Sequence, residues 1–287
     1  MRFVSFKKDG KNKLGVRTAA GLVDLSLVDK KLPSDLKELI RQGKGALQRA
    51  GRAANKAPSK ALVKGRVNYL MPIQNSDKIF CIGLNYKDHA AEANAKIPTY
   101  PVVFTRFSSS LVPHKQPIIR PKASKHYDYE AELVAVIGRR ARNIKKSEAL
   151  DYVAGYSVAN EGSIRDYQMK GPQWTMGKNF DRTGSIGPDF VTADELPLGA
   201  KGLGIQCRLN GKVLQDSNTR EMIFDTKTLV YEIARAITLE PGDQILTGTP
   251  AGVGFVRKPP IFLRQGDSCE IEIEGIGILS NPVKNEK

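Results

Sequence analysis

The sequence predicts a strand-rich α+β fold. Short runs of β-branched, apolar and aromatic residues recur along most of the chain, as in KIFCIGLN, LVAVIG, GYSVAN and DQILTG. Helical periodicity is confined to a few stretches, chiefly LPSDLKELIRQ and TKTLVYEIARAI. The two kinds of element do not alternate in the regular order of a parallel βαβ wheel.

Residues 2–25 form the first expected unit. FVSF and LGV are strands around a KDGK turn, with GLVDLS as a third. LPSDLKELIRQ is expected to be a helix capped by Ser34. Residues 51–68, rich in Ala, Lys and Gly, are expected to be a linker. This divides the chain into a small N-terminal accessory unit, 1–70, and a longer domain, 71–287. In the longer domain KIFCIGLN is a strand, NYKDHAAEANAK a short helix or helical loop, and PVVFTRF and PIIRP extended pieces. YEAELVAVIG is a strand, SEALDYVA a helix with Ser147 at its cap, and GYSVAN another strand. GIQCRLNGKVLQ is a hairpin with Asn210-Gly211 supplying a type I′ turn. TKTLVYEIARAI is a helix, and DQILTG and CEIEIEGIG are late strands.

The chain has 287 residues and no apolar run near the length of a membrane span. No signal-peptide pattern opens it, and its three cysteines, Cys81, Cys207 and Cys269, build neither a disulfide framework nor a metal knuckle. The expectation is a soluble cytoplasmic protein. The net charge of +15 raises the question of a polyanion partner. Residues 1–70 hold 17 Lys and Arg against 5 Asp and Glu, so most of the excess is local. Its main source, 41–66, has no aromatics for base stacking, and a solvated helix and linker face explains it better than nucleic acid does.

KHYDYEAELVAVIG, 125–138, joins a buried-strand pattern to three acids at alternate positions, Asp128, Glu130 and Glu132. On a strand such positions share a side. Like charges at about 4 Å repel by roughly 4 kcal/mol at an effective dielectric of 20. The three therefore need water, a basic side chain or a metal ion. Asp128, at the strand's start, is expected in solvent; for Glu130 and Glu132 spacing alone leaves solvent and metal equally open. Glu161, at the end of the next strand, is a candidate third ligand. Three carboxylates without His or Cys favour Mg²⁺ or Mn²⁺ over zinc.

His89 and Glu92 stand three apart on a predicted helix, a spacing that lets the carboxylate orient an imidazole as a general base, although exposed pairs of this kind are common. His114 and His126 lack such a partner and are expected to be structural. Lys178 lies in the glycine-bearing TMGKNFDRTG; such a lysine is either simply exposed or held where it can stabilise an oxyanion. LTGTPAGVG, 246–254, follows neither the Walker nor the dinucleotide pattern. Its turns either end a strand or present backbone N–H groups to a carboxylate.

The ordered set IGLNYKDHAAE, DYEAELVAVIG, GYSVANEGSIRDYQ, GKNFDRTGSIGP, LNGKVLQ and LEPGDQILTGTPAGVG, over roughly 78–280, resembles the fumarylacetoacetate hydrolase superfamily. The resemblance implies a β-roll or barrel-like domain, usually a homodimer, with Mg²⁺ or Mn²⁺ on Glu130, Glu132 and Glu161. It implies that His89 and Glu92, on a lid that orders with substrate, activate water, that Gln168 and Lys178 help hold the substrate, and that Thr249 takes a carboxylate. Two departures stand out. The third ligand is commonly Asp where this chain has Glu161, and Leu84 stands where some acylpyruvate-cleaving relatives carry Arg. The expected activity is metal-dependent hydrolysis of a carbon–carbon bond in a 2,4-dioxo acid of acylpyruvate or fumarylpyruvate type, through an enolate. Oxaloacetate decarboxylation and 2-oxo-enoate hydration or isomerisation are alternatives on the same residues. A non-enzymatic polyanion-binding protein is the remote alternative.

Overall fold

A computed structural model describes residues 1–287. The strand content follows from the apolar and β-branched runs, and it is organised as two open sheets and a two-stranded ribbon. The main path of the larger sheet runs Gly21–Asp24, Lys11–Thr18, Arg2–Lys8, Asp189–Thr192, Val153–Asn160, Ala131–Ile137, Gln244–Leu246, Ile79–Gly83 and Val102–Thr105. The second sheet runs Lys212–Asn218, Gly204–Leu209, Ser268–Ile273, Gly277–Asn285 and Ile118–Arg120. Neither sheet closes on itself, so the α+β reading holds and the barrel does not. The N-terminal strands belong to the larger sheet, because Arg2–Lys8 pairs antiparallel with Asp189–Thr192. No helix is long and apolar enough to cross a membrane.

Several local expectations need correction. The helix Leu36–Arg41 is capped by Asp35, whose side chain accepts from the Glu38 N–H, and not by Ser34. The expected linker begins too early: Lys44–Asn55 is a helix. Ala46, Leu47, Ala50 and Ala54, at helical spacing, are buried against the N-terminal strands, while Arg49, Arg52 and Lys56 face solvent. The segment after Lys145 is a 3₁₀ helix, Lys146–Tyr152, without a side-chain cap, so Ser147 caps nothing. The Asn210-Gly211 turn forms as the sequence indicates, with φ of 52° and 81°, joining Gly204–Leu209 to Lys212–Asn218.

The ring of His114 is buried edge-on to Tyr69, and its Nδ1 accepts the Ser280 N–H at 3.0 Å. Burial, then Lys115, holds its pKa down at about 4. An unfolded histidine titrates near 6.5, so between these values the unfolded chain binds the extra proton. The neutral ring therefore contributes stability that is complete above pH 6.5 and is lost as pH falls toward 4. Allowing for screening, the loss is on the order of 1–2 kcal/mol. Urea midpoints for the wild type and His114→Gln, measured from pH 7 to 4.5, are expected to converge as pH falls. Parallel curves would refute the assignment.

Candidate metal centre

Antiparallel pairing of Ala131–Ile137 with Val153–Asn160 sets Ala131 opposite Asn160, so the residue before one strand meets the residue after the other. The Glu161 N–H donates to the Glu130 carbonyl at 2.9 Å, and the Asn160 side chain accepts the Glu130 N–H at 3.0 Å. Gly162 lets the chain turn away, since a Cβ there would stand 2.0 Å from the Thr183 carbonyl oxygen. Glu132 follows Glu130 on the same side. Glu130, Glu132 and Glu161 are 3%, 1% and 1% exposed, and each offers an oxygen within 4.8 Å of the others.

Basic groups enter this cluster. Lys178 ends the short helix Thr175–Lys178, is buried, and donates from Nζ to Glu130 Oε2 and Glu161 Oε2, both at 2.8 Å. Arg165 pairs with Glu130 Oε1 at 2.7 Å and with Asp128 Oδ2 at 2.8 Å. Burial alone would raise the pKa of Glu130; Lys178 and Arg165 overcome it and hold the group below the usual carboxylate range. Glu132 is pushed well up by burial, with Glu161 and Glu130 adding repulsion, and its one partner is the Gly248 N–H at 2.8 Å. Burial also raises Glu161 despite Lys178. Its Oε1 is buried without a hydrogen-bond partner, and Arg106 Nη1 lies 3.9 Å from it.

An orphaned buried carboxylate oxygen beside two more acids, one of them with its pKa pushed up by burial and by repulsion from its neighbours, suits a hard divalent cation that neutralises all three. Glu130, Glu132 and Glu161 fit Mg²⁺ or Mn²⁺ as oxygen donors.

The cluster opens into a cavity of about 300 Å³ that also includes His89, Arg165, Gln168, Lys178 and Thr249, with Leu84, Trp174, Val253 and Phe255 as apolar lining. His89 Nδ1 lies 3.4 Å from Glu92 Oε2 on the helix Lys87–Glu92, and both oxygens of Glu92 accept the Gly252 N–H at 3.0 Å. The glycine-rich turn does present N–H groups to carboxylates, but to the protein's own. Gly248 donates to Glu132, Gly252 to Glu92, and Gly254 and Phe255 to Asp128 at 2.8 and 3.0 Å.

All eight residues singled out from the sequence therefore gather here, seven on the cavity wall and Glu92 behind His89. Asp128 overturns its expectation. It is fully buried, because Arg165 and the loop N–H groups supply in the protein what water was expected to supply. Lys178 is buried between two acids rather than exposed in a flexible loop. Residues that went unread are Arg165, which also donates to Gln168 Oε1 at 2.9 Å, Arg106 and Gln215. Arg165 was the findable one, since it stands three residues before Gln168 and the acids needed a basic partner. His114 and His126 lie apart from the cavity.

The sequence profile of the fumarylacetoacetate (FAA) hydrolase C-terminal family matches residues 78–284. Oxaloacetate tautomerase fahd2, mitochondrial, of Xenopus laevis is 43% identical over 289 residues, 99% of this chain and 90% of that protein. Oxaloacetate tautomerase FAHD2A, mitochondrial, of Homo sapiens is 40% identical over 274 residues, 94% of this chain and 87% of that one. Among solved structures, an HpcE protein of Mycobacterium smegmatis superposes with a TM-score of 0.88 at 35% identity, both chains covered in full. A fumarylacetoacetate hydrolase of Exiguobacterium antarcticum gives 0.87 at 35%, again with both chains fully covered. With its motifs in family order and the profile spanning most of its length, the chain belongs to the fumarylacetoacetate hydrolase family.

Proposed function

We propose that the protein is an enzyme of 2-oxo acids that interconverts the enol and keto forms of oxaloacetate, with Glu130, Glu132 and Glu161 holding Mg²⁺ or Mn²⁺. The observation that carries this reading is one cavity joining three buried acids to the His89–Glu92 pair. The names of relatives at 40–43% identity over nearly the whole chain support oxaloacetate as the substrate. Bound there, the cation would supply positive charge to the carboxylate and 2-oxo oxygens of the substrate.

The chain's own residues move the proton. In the keto-to-enol direction a C3–H bond breaks and an O–H bond forms at the C2 oxygen. His89, with Nδ1 toward Glu92, accepts the C3 proton at its other ring nitrogen and returns it to the C2 oxygen, so that no proton is gained or lost overall. Lys178 supplies positive charge where negative charge develops on oxygen. Gln168 and Thr249 bind carboxylate oxygens, and the apolar wall excludes water. That wall also favours a second reading, the hydrolysis of a 2,4-dioxo acid whose acyl group lies against Leu84 and Trp174, with His89 deprotonating water. We further propose a homodimer, supported by the exposed edge strand Val102–Thr105, and an accessory role for residues 1–70, supported by the family profile beginning at residue 78.

Metal-loaded protein mixed with fresh enol oxaloacetate is expected to accelerate enol decay in the ultraviolet without releasing pyruvate or CO₂. Pyruvate plus a second acid from a 2,4-dioxo acid, with no effect on tautomers, would replace this reading with the hydrolase. CO₂ release would replace it with a decarboxylase, and inertness toward the whole panel would end it.

A further inference from the structure

Gln215 is fully buried on the strand Lys212–Asn218, and it points inward because of a bulge. Cys207 pairs with Gln215 and Arg208 with Val213, so Leu214 is an extra residue on its strand. The insertion turns both Leu214 and Gln215 inward where strict alternation would bury only one.

The three contacts of the Gln215 amide fix its orientation. Its Oε1 accepts the Ala131 N–H at 2.9 Å, and that group can only donate. Its Nε2 donates to the Pro250 carbonyl at 2.9 Å, and that group can only accept. The same Nε2 donates to Thr249 Oγ1 at 2.8 Å. The Thr249 hydroxyl is thus the acceptor in its one protein hydrogen bond, and no protein acceptor lies within reach of its own hydrogen. A hydroxyl has one donor and two acceptor sites. Thr249 is 5% exposed and lines the cavity, so its O–H is left to donate there.

We propose that Gln215 is a positioning residue that sets the Thr249 hydroxyl as a hydrogen-bond donor to a carboxylate oxygen in the cavity. It also ties the peptide between Glu130 and Glu132 to the glycine-rich loop, so ion site and carboxylate site share one rigid support. Arg257 reinforces that loop, pairing through Nε with the Gly252 carbonyl at 3.1 Å and through Nη2 with the Leu214 carbonyl. Gln215 lies in LNGKVLQ, where the hairpin alone gave no hint of its partners.

The proposal rests on the cavity being a 2-oxo acid site, and its test reads binding rather than turnover. Oxalate, which presents the paired oxygens of a 2-oxo acid, is titrated calorimetrically into protein saturated with Mn²⁺. Thr249→Val is expected to weaken oxalate about tenfold, the usual size for a hydrogen bond to a charged group. Gln215→Met is expected to weaken it equally, and the double variant to be within about twofold of Thr249→Val, because both remove one interaction. Gln215→Glu, nearly isosteric, keeps the bond to Ala131 but as a carboxylate offers no N–H and draws the Thr249 hydroxyl toward itself. It is expected to lose as much as Gln215→Met, and a melting curve recorded for each variant separates this loss from a failure to fold. Independent losses that multiply in the double variant, or wild-type affinity in Gln215→Glu, would overturn the proposal. So would a wild type that binds oxalate no better than Thr249→Val. A negative tautomer assay beside coupled losses of oxalate binding would remove the proposed reaction and leave the role of Gln215 standing.

Discussion

Glu130→Ala is expected to lower turnover at least about a thousandfold and to abolish measurable Mn²⁺ binding, matching what a chelator does to the wild type. Glu130 is the one acid of the three bonded to both Lys178 and Arg165, and it also accepts from the Ser163 hydroxyl at 3.1 Å. Its loss would remove one of the three proposed ligands and leave two buried cations sharing fewer anions. Breaking a buried pair in this way costs about 3–5 kcal/mol, so Glu130→Ala is expected to melt early as well. Glu130→Gln separates the two effects. Its amide oxygen still accepts from Lys178 or Arg165, which restores part of the stability, but a neutral ligand does not restore the ion site. Activity before and after chelation, with Mg²⁺ or Mn²⁺ added back, is the measurement. Full turnover in metal-free protein, or in Glu130→Gln, would rule out a cation held by these carboxylates.

Periodicity made the acids legible. Alternation put Glu130 and Glu132 on one side of an extended segment, and the end of the next apolar run put Glu161 beside them, which antiparallel pairing delivers. Helical spacing made His89 and Glu92 legible in the same way. Such signals are local. Asp128 was misread because, besides Arg165, its partners return from 126 and 127 residues away, at Gly254 and Phe255, and no local pattern announces a backbone N–H. The early linker boundary has a different cause. The buried stripe of Lys44–Asn55 is largely alanine, and small side chains give a weak apolar signal beside the many lysines and arginines. Ser34 and Asp35 are both good caps one residue apart, and only the bond to the Glu38 N–H decides between them. Open sheets in place of a barrel lie beyond local patterns altogether, because closure depends on which strands meet at the edges.

Lys178→Met is expected to bind Mn²⁺ more tightly than the wild type while losing about a hundred- to a thousandfold in rate. The ammonium lies between Glu130 and Glu161, 2.8 Å from an oxygen of each, and so holds the negative charge that a divalent cation would take. Burial disfavours its charge, yet Glu130 and Glu161 raise its pKa, so it stays protonated and repels an arriving cation. At about 4 Å and an effective dielectric near 20, even two unit charges interact by roughly 4 kcal/mol, more than enough for a tenfold change in affinity. Methionine keeps most of the volume and removes the charge. Without metal, the variant faces three buried acids with less neutralisation, so it is expected to be less stable than the wild type and to gain more from added Mn²⁺. Electron paramagnetic resonance titration gives the affinity, and melting curves with and without Mn²⁺ give the stabilisation. Weaker Mn²⁺ binding in Lys178→Met would mean that the lysine supports the ion site instead of competing for it, and the charge balance drawn for these acids would then be wrong.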